Sequence, residues 1–180
     1  MSEKLKFVEV ELPIINEKVD VLAKEIKELE GKTICLDLTR NLRGKSVEAI
    51  FRLNIQGNKI LASLERLHIF PFYIRRMMRK NIDYVEDSFN AQSKDKNLRV
   101  KPFLITRKKV HRSVRKALRN KAKEEITSYI KERNKDEIFS ALLNGTFQKS
   151  LSLKLKKIYP LSFCDIRDIF IVKESTTQKI

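Results

Sequence analysis

At 180 residues and 21.2 kDa, with 42% hydrophobic and 34% charged residues, the chain is sized for one ordinary domain with its own core. That composition excludes a disordered acidic tail, a collagenous repeat and a cysteine-stapled secreted scaffold. The 39 basic residues against 23 acidic ones leave a net charge of +16, an excess that repels itself unless a polyanion neutralises it. The excess is directional: residues up to Ser93 hold 16 basic and 14 acidic side chains, and the remainder hold 23 and 9. Nucleic acid is therefore the expected partner, ahead of an anionic membrane or an acidic protein. No run approaches the roughly 18 apolar residues of a membrane span, and Met1 to Lys6 lacks the apolar stretch of a signal peptide. A cytoplasmic location without a membrane partner is expected. Cys35 and Cys164 have no CxxC spacing and are expected to be buried thiols in a reducing compartment.

In chain order, Thr33 to Thr39 alternates apolar and polar side chains with the period of two that a half-buried strand requires. Val47, Ala49, Phe51, Leu53 and Ile55 repeat the pattern. Gln56-Gly57-Asn58-Lys59 then turns the chain into Ile60 to Leu67, predicting a hairpin. Ile82 to Asn90 and Leu98 to Thr106 are two further predicted strands, with Pro102 favouring an edge or a bulge. From Arg107 the period becomes helical. A basic helix over Arg107 to Lys123 is predicted, with Val110, Val114, Ala117 and Leu118 on its apolar side. Beyond Asn120 the apolar stripe drifts towards Ile126, Tyr129 and Ile130, so the helix either breaks there or wraps its contact around the core. Asp136 is the expected cap of a short helix ending at Asn144-Gly145, and Thr146 of another reaching Lys157. A last strand spans Phe163 to Val172. The prediction is one α+β domain over residues 1–172, its helical segment 107–157 followed by a C-terminal strand, with a disordered tail at 173–180.

Few residues point to catalysis. Arg43-Gly44-Lys45-Ser46 ends like a phosphate-binding loop, but Thr39 stands where GxxxxGK[ST] needs its first glycine. His68 and His111 lie on different elements without ligand-spaced partners and read as packing or phosphate-contact residues, so no metal or cofactor is expected. Asp83, Glu86 and Asp87 could be an acidic cluster of a metal-dependent nuclease or RNA-modifying enzyme, but only Asp83 and Asp87 share a face of an alternating strand. Asn144-Gly145-Thr146 matches a glycosylation sequon, but an intracellular chain never meets the glycosylating enzyme, and the same residues are explained by a helix stop and restart.

Two basic segments carry the functional reading. Pro71 suits the start of a short helix that places Tyr73, Ile74, Met77 and Met78 on one side and Arg75, Arg76, Arg79 and Lys80 on the other. The second segment holds Arg107, Lys108, Lys109, Arg112, Arg115, Lys116, Arg119, Lys121 and Lys123 without one acid. A solvated helix face usually mixes signs to gain i,i+4 pairs, and this stretch does not. The arginine fork suits phosphate contact and stacking on bases, and nothing in either segment spells a base-reading code.

Lys156-Lys157-Ile158-Tyr159-Pro160-Leu161, followed by Asp165-Ile166-Arg167, resembles the closing signature of the archaeal and eukaryotic small-subunit ribosomal proteins of the S-three-A-e family. The resemblance runs back through Asp136-Glu137-Ile138-Phe139 and Gly145, Val114-Arg115-Lys116-Ala117-Leu118, and Leu98-Arg99-Val100-Lys101-Pro102 with Ile105-Thr106. Phe51-Arg52-Leu53 with Gly57-Asn58 and Leu36-Asp37-Leu38-Thr39 extend it, so that it covers most of residues 30 to 172. Three places depart from the family pattern. The start has Lys4-Leu5-Lys6-Phe7 and no tryptophan, Ile69-Phe70-Pro71-Phe72 replaces Leu-Thr-Arg-Asp, and the turn near Lys94-Asp95 is about one residue shorter and lacks Gly-Tyr. The resemblance implies a barrel-like, mainly antiparallel sheet with packed helices, and a non-enzymatic, non-oligomeric structural part of the small ribosomal subunit. It implies binding to small-subunit ribosomal RNA on the platform near the messenger exit, beside neighbouring platform proteins. The residues expected to touch RNA are Arg75, Arg76, Arg79, Lys80, Arg107, Lys108, Lys109, Arg112, Arg115, Lys116, Arg119 and Lys123. A free nucleic-acid-binding protein sharing only the basic helix is the other non-enzymatic alternative.

Overall fold

Alternating apolar residues at the start of the chain, Val8-Val10-Leu12 and Val19-Val21-Ala23, form a hairpin of β1 (Lys6–Leu12) and β2 (Glu17–Ala23) that the sequence reading left unassigned. The computed structural model describes residues 5–42, 44–57 and 59–172; the expected tail lies outside them. Within these bounds the chain divides into two units, Met1–Leu67 and His68–Ile180.

In the first unit, Val10 pairs with Val19 and Val8 with Val21, while Asn16 takes a left-handed conformation in the turn and donates its N–H to the Leu12 carbonyl. After a single turn of 3-10 helix at Ile26–Leu29 come β3 (Thr33–Asp37), β4 (Val47–Gln56) and β5 (Lys59–Ile69). The three predicted strands are thus present. Their order is β2-β1-β5-β4-β3, antiparallel in the β1–β2 and β3–β4 ladders and parallel where Val10 meets Ile60. Val47, Ala49, Phe51 and Leu53 on β4 are buried, as are Ile60, Ala62 and Leu64 on β5. Losing a fully buried ring such as Phe51 costs about 3 to 5 kcal/mol.

The second unit opens with α1 (Pro71–Met77), Pro71 standing at its first turn as expected. Its sheet is built on β8 (Asn97–Thr106). Along one side of β8 lies β9 (Leu161–Ile171), and along the other β6 (Tyr84–Glu86) and β7 (Phe89–Gln92), all antiparallel. The single strand predicted over Ile82 to Asn90 is therefore two. Glu86 pairs with Phe103 and Phe89 with Val100, so the break at Asp87-Ser88 lies opposite Lys101-Pro102, where proline has no N–H for the ladder. On the β9 side the register slips between Lys101 and Pro102. Pro102 marks a bulge in a central strand, the second of its two expected positions.

Helices α2 (Arg112–Lys131), α3 (Lys135–Leu143) and α4 (Thr146–Leu155) follow, α2 packing on β6, β7 and α4, and α4 on β9. The predicted helix start at Arg107 moves to Arg112 because residues 107–110 are held by bonds described below. The helix does not break near Asn120: Leu118, Ala122, Ile126 and Ile130 are buried at steps of four, so the contact stripe winds around the helix as it advances. Ala117, expected on that stripe, is exposed. Asn134, and not Asp136, occupies the cap of α3, and Gly145, left-handed at φ 71°, precedes α4 where Thr146 was expected as cap. Asp136 sits in the first turn of α3, where a carboxylate complements the helix dipole.

Two carboxylates on β9 are buried and paired. Gln148 Nε2 donates to Asp165 Oδ1 at 3.1 Å, tying α4 to the sheet, and Lys101 Nζ lies 2.9 Å from Asp168 Oδ2. An uncompensated buried charge costs several kcal/mol, so these partners are structural necessities. The expectation of two buried thiols is corrected: Cys164 is half-buried, and Cys35 is exposed on β3 with its thiol donating to Glu48 Oε1 at 3.0 Å. The α+β class with mainly antiparallel pairing stands.

Candidate nucleic-acid interface

Helix α1 is amphipathic over seven residues. Tyr73, Ile74, Met77 and Met78 are half-buried, while Arg75, Arg76, Arg79 and Lys80 are exposed. Tyr73 anchors the helix, its ring 6.3 Å from that of Phe163 on β9. Arg76 lies 5.3 Å from the centroid of Tyr73 and 5.9 Å from that of Phe72. The helix covers apolar surface with one side and carries Arg75 and Arg76 on the other, but it ends at Met77, so Arg79 and Lys80, predicted on the same helix, lie on the segment that follows it.

The second basic segment is a loop followed by a helix. Arg107, Lys108 and Lys109 are exposed on the loop. His111 caps α2, its Nδ1 accepting from the Ser113 N–H at 3.4 Å, which gives this histidine a structural role. Arg112, Lys116, Arg119 and Lys123 are exposed along one face of the helix at helical spacing, with Arg115 half-buried beside them. Arg115 Nε is buried without a hydrogen-bond partner among the described residues. Lys123 Nζ stands 5.7 Å from the centroid of Phe89. None of the twelve expected RNA contacts has a carboxylate partner among the described residues.

Lys121 differs. Its ammonium lies 3.2 Å from Glu124 and 3.4 Å from Glu125, and those two carboxylates raise its pKa. Glu125 also receives Lys154 at 2.6 Å, which is the main reason its carboxyl is held below the usual carboxylate range. The expectation of an unmixed basic helix therefore holds for Arg112 to Asn120 and fails at Lys121, which the acids just past the counted stretch reach by i,i+3 and i,i+4 spacing, while Lys123 has no carboxylate partner among the described residues.

Asp83 joins the two segments. Its carboxylate Oδ2 accepts from the Val110 N–H at 2.9 Å, its backbone N–H donates to Thr106 Oγ1 at 3.1 Å, and its carbonyl accepts from the Thr106 N–H at 2.9 Å. These bonds hold residues 107–110 out of the helix. Because Lys80 precedes Asp83 by three residues and Lys109 adjoins Val110, the inner ends of the two basic segments each lie within about 10 Å of chain from the staple. Sequence reasoning weighed Asp83 only as a nuclease carboxylate and missed this role. The neighbouring acids are likewise engaged, Asp87 Oδ1 accepting from the Ser88 N–H at 2.8 Å and Glu86 pairing with Arg167 at 3.1 Å.

The arrangement presents mostly exposed guanidinium and ammonium groups on two segments tied at Asp83, suited to a chain of phosphates. Its sequence matches the Ribosomal S3Ae family over residues 6–175. The "Small ribosomal subunit protein eS1" of Nanoarchaeum equitans is 29% identical over 136 residues, covering 74% of this chain and 69% of that protein. The proteins of that name from Halorubrum lacusprofundi and Saccharolobus islandicus are 23% and 25% identical, covering 83% and 79% of this chain and 72% and 69% of their own lengths. A match that spans nearly the whole chain, from β1 through β9, places this protein in the Ribosomal S3Ae family.

Proposed function

We propose that the protein is a structural constituent of the small ribosomal subunit in the cytoplasm, acting in translation without catalytic activity of its own. It binds small-subunit ribosomal RNA on the platform near the messenger exit and lies against neighbouring platform proteins, as one RNA-binding domain over residues 1–172 and not as a homo-oligomer. The observation that carries this reading is the pair of carboxylate-free basic segments stapled at Asp83. Arg75, Arg76, Arg79 and Lys80 form one phosphate-contacting group. Arg107, Lys108, Lys109, Arg112, Arg115, Lys116, Arg119 and Lys123 form the other. Phosphate contact supplies affinity without base choice, and fixed side chains on helices select the local shape of folded RNA. The names of the relatives and the family support the ribosomal assignment. The enzyme alternative loses its strongest residue, since the Asp83 carboxylate serves the Val110 amide.

Sedimentation of the tagged protein from lysate through sucrose gradients tests the proposal. Retention with the small subunit through a high-salt wash is the expected result. Migration in light fractions at moderate salt would contradict it and point to a free nucleic-acid-binding protein.

A further inference from the structure

The α1 segment carries a feature that phosphate binding does not use. Phe72 is 53% exposed although it stands on a helix whose other aromatic, Tyr73, is packed down against Phe163. Phe70 stacks against Phe72 with ring centroids 5.3 Å apart and planes 19° from parallel, which holds the exposed ring in a fixed attitude. Arg76 lies 5.9 Å from the Phe72 centroid, at the outer limit of a cation–π contact, and is exposed and without a carboxylate partner among the described residues. From His68 to Ile82 the sequence holds four basic residues and no acid, and the first acid beyond, Asp83, spends its carboxylate on Val110. An exposed ring this large is costly in water, and here it has Arg76 beside it on a segment of four cations and no acid, which an apolar protein partner would have to desolvate.

Resting on the RNA-binding reading above, we propose that Phe72 and Arg76 form a stacking platform for an unpaired base of the bound RNA. Arg75, Arg79 and Lys80 hold the phosphates on either side of that nucleotide. A flat ring backed by Phe70, with a flat guanidinium 5.9 Å from its centroid, suits the face of any base, so the platform selects unpaired over paired nucleotides without selecting sequence. A fully paired helix hides its base faces and gives Phe72 nothing to stack on.

The test uses the full chain with two probes, a single-stranded RNA carrying 2-aminopurine and a duplex RNA of equal length. With the wild type, 2-aminopurine fluorescence should be quenched on binding. F72A and F72L should each lose about 5- to 100-fold in affinity for the single strand, the loss of one stacked base, with duplex affinity and salt slope unchanged. F72W should restore both affinity and quenching. F72L keeps the apolar volume, so a loss shared by F72A and F72L with unaltered thermal unfolding belongs to the ring and not to folding. Wild-type affinity in F72A, alongside weakened binding when Arg75, Arg76 and Arg79 become Gln, would overturn the platform while leaving RNA binding intact. Equal loss on duplex and single strand would overturn it as well, making Phe72 a general contact. Unchanged binding of both probes in the arginine variant would overturn the underlying RNA reading for this segment.

Discussion

Lys18 meets Glu9 at 2.8 Å, Lys59 meets Glu11 at 3.5 Å and Arg52 meets Glu65 at 2.7 Å, whereas Arg112, Lys116 and Arg119 face no carboxylate at all among the described residues. The first group belongs to the unit Met1–Leu67, which holds 12 basic and 11 acidic side chains; the second belongs to His68–Ile180, which holds 27 and 12. In the first unit adjacent strands place opposite charges across from one another, and the pairs neutralise locally. In the second, a helix repeats like charge along one face, where nothing within the fold answers it. Net charge therefore locates a polyanion site only after its internal pairs are subtracted, and here the densest runs of unpaired charge lie over residues 75–80, on the 107–109 loop and along α2 as far as Lys123.

The contrast can be broken most strongly by reversing it. Changing Arg112, Arg115 and Arg119 together to Glu should lower RNA affinity by about two orders of magnitude or more at low salt, measured by filter binding, because three attractive contacts become repulsive. A smaller effect is expected at the staple. D83A strands the Val110 N–H and should cost about 1 to 3 kcal/mol in denaturant unfolding, together with weaker RNA binding as the 107–110 loop loses its hold. D83N keeps an acceptor oxygen and should recover most of both. A divalent-metal dependence lost in D83N would instead revive the enzyme reading.

How far these residues could be seen in advance follows from what kind of force places them. Strands β3, β4, β5, β8 and β9 were legible because burial on one face writes itself as alternation, and the exposed arginines of α1 were legible for the same reason at helical period. The β1–β2 hairpin, absent from the expected elements, carries equally plain alternation at Val8-Val10-Leu12. The false helical start at Arg107 has a different origin. Residues 107–110 have helical propensity, and it is overridden by Asp83, which is distant in sequence and whose bonds to Thr106 and Val110 no local pattern records. The split between β6 and β7 was half legible: Pro102 was noted, but its effect falls on the neighbouring strand. Lys121 was misread because the counted stretch stopped one residue before its partner Glu124.

Finer measurements sharpen the picture at the boundary between paired and unpaired charge. Because Lys154 lowers the pKa of Glu125, that carboxylate contributes stability at neutral pH, above its unfolded pKa. The contribution should be lost as pH falls through its depressed folded value. E125Q should therefore flatten the acid limb of the thermal stability profile, slightly less stable than the wild type near pH 7 and converging with it at low pH. The smallest effect concerns the thiols. Burial and then the Glu48 carboxylate push Cys35 up to about 11, and burial and then Asp165 push Cys164 up to about 12. Iodoacetamide at pH 7.5 should label both slowly, Cys35 first because it is exposed.

The most direct test compares the salt dependence of single-stranded RNA binding for two triple variants, one from each unit. Replacing Arg112, Arg115 and Arg119 with Gln should flatten the log–log slope by about 2, at roughly 0.7 per phosphate contact, while K18Q/R52Q/K59Q should leave the slope of the wild type. Equal slopes for the two variants, or a larger change from the first unit, would contradict the assignment of RNA binding to the unpaired face of the second.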